Sequence, residues 1–234
     1  MGGAIDGAHA NAAADADQRP RLVPLTVGIA DDDARSLASL RLIVVELVPD
    51  ASVPWTTTSG IRAVDLCLDE STRPDMLLLD MSLEGLQGPS ACRMIREHLD
   101  TMPILAITSF ALDRYRDPCL RAGAQGLVGK GTERDIAGAI DTIRRTGTYG
   151  EGFETCRDAH DRLLHTPRRD DERLSRQEVT VMDMLADDLD DRQIAQRLGI
   201  SENTVRKHIQ HAKVKLHAAS RLQAVVRWIK GTDW

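Results

Sequence analysis

Hydrophobic positions between residues 25 and 146 follow two patterns in turn. Short, continuous apolar runs alternate with longer segments in which apolar residues recur every three or four positions. Buried strands of a parallel sheet give the first pattern, and amphipathic helices give the second. The pattern predicts strands at 25–30, 53–58, 76–80, 103–108 and 126–129, and helices at 35–48, 60–70, 89–98, 111–122 and 133–145. This alternation predicts an α/β fold with a doubly wound, five-stranded parallel sheet and right-handed crossovers.

The rest of the chain has only the helical pattern. Short helices are predicted at 175–186, 191–198, 201–216 and 220–229, and Gly199 lies in the short turn of a helix-turn-helix. We therefore expect an α/β domain at 22–147 and a small all-α, four-helix domain at 172–234. The polar segment 148–171, with a helix near 154–164, is predicted to be a linker. Residues 1–21 have almost no large apolar side chains and are predicted to be a disordered tail.

Polar side chains follow successive strands of the predicted sheet. Asp31 and Asp32 follow the first strand, Asp80 ends the third, Thr108 ends the fourth and Lys130 follows the fifth. A single Asp at a strand end is usually a turn or helix-cap residue, but five such groups at one sheet edge indicate a site. Clustered carboxylates stay ionised only around a cation, and oxygen ligands suit Mg²⁺. A carboxylate nucleophile, a metal, a hydroxyl and an ammonium group together predict phosphoryl transfer.

The charge distribution separates the two predicted domains. The formal net charge is −6, yet residues 197–230 contain eight basic side chains and one acidic side chain. A basic helical segment on an acidic protein favours nucleic-acid binding, although a solvated basic helix face would have the same composition. In the helix-turn-helix, five polar side chains are expected to point outward: Arg206, Lys207, Gln210, His211 and Lys213.

The cysteine spacing and the hydropathy pattern indicate where in the cell the protein is located. The four cysteines have no C-x-x-C spacing, which predicts reduced thiols in a cytoplasmic protein. No apolar stretch approaches the ~20 residues that span a bilayer, and the N-terminus lacks the pattern of a signal peptide. We therefore expect a cytoplasmic protein without membrane contact.

Four segments of the α/β part carry a family resemblance. They are Ile29–Asp32, Pro74–Asp80, Pro103–Ser109 and Gly123–Lys130. With these motifs, residues 25–146 resemble the receiver domain of bacterial two-component response regulators. The resemblance implies that Asp80 accepts a phosphoryl group from a sensor histidine kinase, and that Thr108 and Lys130 bind the phosphoryl oxygens. It assigns Mg²⁺ to the carboxylates of Asp31, Asp32 and Asp80 and the backbone carbonyl of Ser82.

Three positions depart from the receiver pattern. Leu127 occupies the switch position, where the family usually has an aromatic residue that moves after phosphorylation. In the turn after Asp80, Glu84 is expected to place an additional carboxylate near the pocket. Pro118 falls within the fourth helix, and we predict a shortened helix with Asp117 as N-cap and Pro118 at its first position. These departures predict that phosphorylation is coupled to dimerisation weakly or in a different way.

Residues 173–229 resemble the LuxR-type helix-turn-helix domain. The matching motifs are Leu174-Ser175-x-x-Glu178, Ile194-Ala195, Leu198-x-Ile200-Ser201-x-x-Thr204-Val205-x-x-His208 and Lys215-Leu216. The DNA-facing residues are predicted to be Thr204, Arg206, Lys207, Gln210, His211 and Lys213. The Asp190-Asp191 pair replaces a common Asn and is expected to weaken a local cap. Val225, Val226 and Trp228 of the last helix are either a dimer surface, as in the family, or intramolecular core.

Together the two resemblances identify the chain as a member of the NarL/FixJ-like response regulators. They imply a transcription regulator, not an enzyme, with a sensor histidine kinase, double-stranded promoter DNA, a second copy of the chain and RNA polymerase as partners. An alternative is a regulator of the same architecture that acts without phosphorylation, through protein contacts of its receiver. An Asp-nucleophile phosphohydrolase is disfavoured because no second acid lies two residues after Asp80. A quorum sensor is disfavoured because the N-terminal half lacks an aromatic-lined ligand pocket.

Overall fold

The computed structural model describes residues 24–165 and 174–230. Its sheet has six parallel strands, and the main path runs in the order β2-β1-β4-β5-β6, with β3 also paired to β1. The strands are β1 Leu25–Ala30, β2 Ala51–Ser52, β3 Thr56–Thr57, β4 Met76–Asp80, β5 Ile104–Thr108 and β6 Gly126–Gly129. The doubly wound parallel fold predicted from the sequence is confirmed. The predicted disordered tail, 1–21, lies outside the described residues.

The second predicted strand is interrupted. In place of one strand at 53–58, β2 and β3 are two-residue strands that pair with opposite ends of β1. Pro54 lies between them, and a proline has no N–H to donate to a neighbouring strand. The next residue, Trp55, places its ring over Gly28 of β1, where a Cβ atom would lie only 2.4 Å from the ring. The interruption therefore lets an aromatic ring cover the backbone of β1.

Five helices cover the two faces of the sheet. They are α1 Ala34–Leu47, α2 Gly60–Leu68, α3 Gly88–Arg96, α4 Leu112–Ala122 and α5 Glu133–Thr146. One core cluster joins buried residues of α1 and α5 to the sheet, and a second joins those of α2, α3 and α4. Every residue of β4 is buried, as its uninterrupted apolar sequence predicts.

The prediction that α4 is shortened at Pro118 is wrong. The helix begins at Leu112 and continues through Pro118, which lies in its interior. An internal proline costs a helix about 3 kcal/mol, but tertiary contacts hold both halves of α4. Arg116 donates to the carbonyl oxygen of Glu151, and in the second half Cys119 and Ala122 are buried. These contacts outweigh the local penalty, so Asp117 does not cap a helix.

Part of the predicted linker is a helix, α6, which covers Cys156–His165 and packs against α3. The contact centres on Arg96, whose guanidinium is completely buried. It donates to the carbonyl oxygens of Leu99, Met102 and Gly123 and to Oε1 of Gln125. His160 of α6 in turn places Nδ1 2.7 Å from the Arg96 carbonyl oxygen.

The C-terminal part contains four helices, as predicted. They are α7 Arg176–Ala186, α8 Asp191–Leu198, α9 Glu202–Lys215 and α10 Arg221–Lys230. A capping box of Ser175 and Glu178 begins α7, and Gly199 ends α8 in the left-handed conformation with φ 66°. Within the described segments, no helix is both long enough and apolar enough to cross a membrane.

Candidate functional site

The carboxyl ends of β1, β4, β5 and β6 bring the predicted acidic and polar residues together. Asp31 follows β1, Asp80 ends β4, and Thr108 ends β5; all three are buried. One carboxylate oxygen from each of Asp31, Asp32 and Asp80 lies within 4.8 Å of the other two. These three side chains are therefore close enough together to hold a metal ion. The parallel topology therefore produces the cluster, because parallel strands end at the same edge.

Lys130 supplies the positive charge within this cluster. Its Nζ atom lies 2.6 Å from Oδ2 of Asp31 and 2.9 Å from Oδ1 of Asp80. Burial lowers the pKa of Lys130, but hydrogen bonds and charge interactions with the two carboxylates outweigh burial, so its pKa stands above the ordinary value. Lys130 is therefore held in its charged form between the two acids.

The two oxygens of Asp80 have different surroundings. Oδ2 accepts from the backbone N–H and the hydroxyl of Ser82, at 3.2 and 2.9 Å. Oδ1 is buried and faces the ammonium group of Lys130 at 2.9 Å, and no other donor of the described residues reaches it. A buried oxygen in this condition is suited to a bond with an electrophile or a cation. The all-oxygen cluster around it fits a hard cation such as Mg²⁺.

Asp32 completes the acidic group at its exposed side. Burial and the charge of Asp80 raise its pKa, while a hydrogen bond from the backbone N–H of Glu84 opposes the rise. As predicted, Glu84 adds a negative charge near the pocket, and this charge contributes to the raised pKa of Asp32. Its carboxylate also lies 3.7 Å from Arg197 of α8. Another neighbour was missed from the sequence: Ser36 of α1 donates to Oδ2 of Asp31 at 2.6 Å.

The predicted phosphoryl-binding residue Thr108 and the switch position, Leu127, lie on the neighbouring strands β5 and β6. The hydroxyl oxygen of Thr108 accepts from the backbone N–H of Phe110 at 3.1 Å. Leu127 on β6 is buried, with 7% of its surface exposed. An aliphatic side chain in this position has no polar atom to exchange a hydrogen bond with Thr108.

The predicted DNA-facing side chains lie along α9. Four of them are exposed, Arg206, Lys207, Gln210 and His211, whereas Thr204 and Lys213 are half-buried. Val205 and Ile209 are buried and fix the opposite face against the other helices. The exposed face of α9 therefore agrees with the sequence pattern for four side chains, whereas Lys213, also expected to point outward, is half-buried.

Acidic side chains hold Arg206, near the beginning of α9, in place. Arg206 lies 3.1 Å from Asp191 and 3.0 Å from Glu202, and Arg221 also contacts Asp191. The expected weakening of the α8 cap does not occur, because Asp190 accepts from the N–H of Gln193 and forms a capping box. The sequence analysis missed these ion pairs, which orient Arg206.

A third group of contacts joins α7 to the loop between β4 and α3. One oxygen of Asp183 accepts from the backbone N–H of Gln87 at 3.1 Å. The other accepts from the Ser90 hydroxyl at 3.2 Å and from the Trp228 indole at 2.8 Å. Burial raises the pKa of Asp183 to about 7 despite these donors. Arg176 of α7 also contacts Asp65 of α2. Sequence analysis missed Asp183, because a lone acid in an amphipathic helix is typical of a solvated face.

Two features of α10 separate the alternatives left open for that helix. Trp228 is buried, with 4% of its surface exposed, and belongs to the core. Val226 is exposed, together with Leu222 before it and Ile229 after it at helical spacing. The helix therefore has both a core face and an outward apolar face.

Both parts of the chain match known families. Residues 27–141 match the family model of the response regulator receiver domain, and residues 172–228 match that of bacterial regulatory proteins of the luxR family. A nitrate/nitrite response regulator protein homolog of Haemophilus influenzae is 31% identical, over 78% of this chain and 86% of its own length. The transcriptional regulatory protein LiaR of Bacillus subtilis is 30% identical over the same shares.

A solved structure shows the same fold. A complex of the two-component response regulator RcsB with DNA aligns with a TM-score of 0.51 at 20% identity, over 90% of this chain and all of that chain. Receiver fold, helix-turn-helix domain and similarity to curated regulators agree along the chain. The chain therefore belongs to the NarL/FixJ family of response regulators and is a DNA-binding transcriptional regulator of the LuxR type.

Proposed function

We propose that this regulator is phosphorylated on Asp80 by a sensor histidine kinase in an Mg²⁺-dependent reaction, and that phosphorylation changes dimerisation and promoter binding. The observation that carries the proposal is the buried Asp80 carboxylate, whose Oδ1 atom faces Lys130 at 2.9 Å, in a group with two further carboxylates. Buried groups of this kind are typical of reactive sites. As a DNA-binding regulator of transcription, the protein is proposed to work in the cytoplasm.

The chemistry is a transfer from nitrogen to oxygen. An oxygen of Asp80 forms a bond to phosphorus while the phosphorus–nitrogen bond of a kinase phosphohistidine breaks, and the freed imidazole nitrogen takes a proton from solvent. Lys130 and the Thr108 hydroxyl stabilise the negative phosphoryl oxygens. Mg²⁺ would be held by Asp31, Asp32, Asp80 and the backbone carbonyl of Ser82, and it supplies positive charge that neutralises those oxygens.

On the DNA side, α9 is proposed to enter the major groove. Arg206, Lys207, Gln210 and His211 would contact bases or phosphates along its exposed face, with Thr204 and Lys213 at the border. The exposed apolar face of α10 supports a homodimer that places two copies of α9 on two half-sites. RNA polymerase is proposed as a further partner at the promoter.

One observation favours a second candidate, a regulator that binds DNA without phosphorylation. Leu127, buried on β6, lacks the polar atom or aromatic ring that would respond to Thr108. In this alternative the receiver acts as a site for protein contacts, and Asp80 has no part in promoter binding.

The test is the molar mass in solution and the affinity for promoter DNA, with Mg²⁺, before and after addition of acetyl phosphate. Wild type is expected to gain one phosphoryl group and to shift from monomer to dimer, whereas Asp80→Ala does neither. Asp113→Ala, which removes an exposed acid in the first turn of α4, is the matched control and should behave as wild type. Equal DNA binding by wild type and Asp80→Ala, in one unchanged oligomeric state, would establish the second candidate.

A further inference from the structure

We propose that the state of Asp80 reaches the DNA-binding domain through the loop of residues 81–87, and that Asp183 is the residue that receives it. The proposal rests on the proposed phosphorylation of Asp80 and names how that site is linked to the helix-turn-helix. We call residues 81–87 the coupling loop. It runs from the end of β4 to the beginning of α3.

The beginning of the coupling loop is tied to the phosphorylation pocket. Ser82 donates two hydrogen bonds to Asp80, and the backbone N–H of Glu84 donates to Asp32. The end of the loop returns to the same place. A Cβ atom at Gly88 would lie 2.2 Å from the carbonyl oxygen of Asp80. Because α3 begins directly against the backbone of Asp80, a displacement of Asp80 or Ser82 changes the position of Gln87.

The same loop carries the contact with the DNA-binding domain. The first N–H groups of a helix have no partner within the helix and need an acceptor. Gln87, the N-cap of α3, makes no side-chain cap. The acceptor instead comes from the other domain, since Asp183 of α7 binds the backbone N–H of Gln87 and the hydroxyl of Ser90. The side chain of Gln87 also donates to Asp187 at 2.8 Å.

The bonds to Asp183 depend strongly on geometry. Its three donors are an amide, a hydroxyl and an indole, and the strength of such neutral hydrogen bonds falls steeply with distance and angle. Only 2% of its surface is exposed, and a buried carboxylate that loses a donor has no water to replace it. A shift of Gln87 relative to Asp183 therefore weakens the docking of α7 and, through Trp228, of α10. Leu127 is aliphatic and buried, so it offers no polar connection out of the pocket, whereas this loop does.

Linkage makes the coupling reciprocal. If occupancy of the phosphorylation pocket weakens docking, then loss of docking must tighten binding in that pocket by the same factor. Beryllofluoride, a phosphoryl analogue that binds an aspartate carboxylate reversibly, allows this factor to be measured as an equilibrium. The full chain should therefore bind it more tightly once the contact at Asp183 is broken.

The variant that breaks the contact is Asp183→Asn. Whichever way the new amide turns, its NH₂ group faces an N–H donor, either the backbone of Gln87 or the indole of Trp228. The matched control is Asp188→Asn, which removes one negative charge just beyond the same helix. Asp188 is exposed and already has positive φ, a conformation that Asn tolerates.

The experiment uses full-length protein with Mg²⁺ and beryllofluoride, for wild type and both variants. Fluorine-19 NMR measures binding, amide hydrogen exchange follows Gln87, and small-angle X-ray scattering gives the radius of gyration. In wild type, beryllofluoride should accelerate exchange at Gln87 about tenfold and increase the radius of gyration. Asp183→Asn should show the faster exchange and the larger radius of gyration before beryllofluoride is added, and it should bind beryllofluoride about tenfold more tightly than wild type. Asp188→Asn should behave as wild type.

The outcomes separate this proposal from the function on which it rests. If Asp80→Ala binds beryllofluoride as wild type does, or neither protein binds it, the proposed function is wrong and this inference falls with it. If binding depends on Asp80 but exchange at Gln87 and the radius of gyration stay unchanged, the function stands and the coupling loop is not the route. Identical behaviour of Asp183→Asn and Asp188→Asn overturns the role of Asp183.

Discussion

Asp80 and Asp183 are two buried carboxylates at opposite ends of the same short loop, and their surroundings differ in kind. Lys130 lies 2.9 Å from Asp80, with two more carboxylates beside it. Asp183 accepts hydrogen bonds from three neutral donors, and burial raises its pKa to about 7. The comparison shows that one protein can place one buried acid beside a cation and leave another, at a domain contact, close to losing its charge.

The largest effect is expected from removal of the cation that makes the two sites differ. Lys130→Met leaves Asp31 and Asp80 buried without their ammonium partner, so we expect the free energy of unfolding to fall by roughly 3 kcal/mol. Mg²⁺ should recover part of this loss, because a cation among the carboxylates replaces the missing charge. Urea unfolding with and without Mg²⁺ measures both. Lys207→Met on exposed α9 is the control, and an equal midpoint for the two variants contradicts the prediction.

A smaller effect is expected at the other aspartate. Trp228→Phe removes the indole donor to Asp183 and some buried ring area, which should cost about 2 kcal/mol of stability. Combined with Asp183→Asn, the two losses should not add, because both remove the same hydrogen bond. Chemical denaturation of the single and double variants gives the interaction energy. Strict additivity would show that Trp228 acts through packing alone.

The pH dependence of docking comes next in size. Asp183 has a pKa of about 7 when docked, against 3.8 for a solvated side chain, so the docked form binds the proton more tightly. Docking is therefore favoured as the pH falls below 7, and it should weaken about tenfold between pH 6 and 8, levelling off above that range. The other charged groups that line the same space are Glu84, Arg93, Arg114, Arg121 and Asp187.

The readout for this pH effect is the exchange rate of the Gln87 amide, corrected for intrinsic exchange, together with the radius of gyration. Asp183→Asn provides the comparison, since it has no proton to lose in this range. If its profile follows that of wild type, one of the other charged groups is responsible.

The smallest effect is expected from an acid on the same loop that is exposed. Glu84 lies 3.7 Å from Arg197, and both side chains are largely in solvent. Exposed pairs contribute at most about 1 kcal/mol, so Glu84→Gln should change docking by less than about threefold in small-angle scattering at low salt. A change as large as that of Asp183→Asn would mean that the ion pair, rather than the buried acid, holds the domains together.

The sequence predicts the acidic pocket around Asp80 better than the domain contact, for a physical reason. Asp31, Asp80, Thr108 and Lys130 each adjoin a strand, and parallel topology alone brings strand ends together. Asp183 and Gln87 are 96 residues apart, and no periodicity or motif links an acid on one helix to the first turn of another. The pair becomes visible only when the two domains are placed against each other.

Local rules also failed where tertiary contacts outweighed them. Pro118 was expected to begin a shortened helix, yet α4 continues through it. Pro54 acted as its chemistry predicts and divides a strand that the apolar pattern alone had drawn as continuous. The two prolines differ because α4 has anchors on both sides of Pro118, whereas an edge strand has no such support.

The buried guanidinium of Arg96 has a consequence for how such regulators can be recombined. The backbone carbonyl oxygen of Arg96 lies 2.7 Å from Nδ1 of His160, and Ala159 and Leu163 of the same helix, α6, are buried. A receiver cut after Gly147 would lose these contacts and expose the apolar surface that α6 covers. A receiver that is transferred to another protein, by evolution or by design, should therefore include residues up to His165. The helix α6 then stays with the receiver and not with the DNA-binding domain.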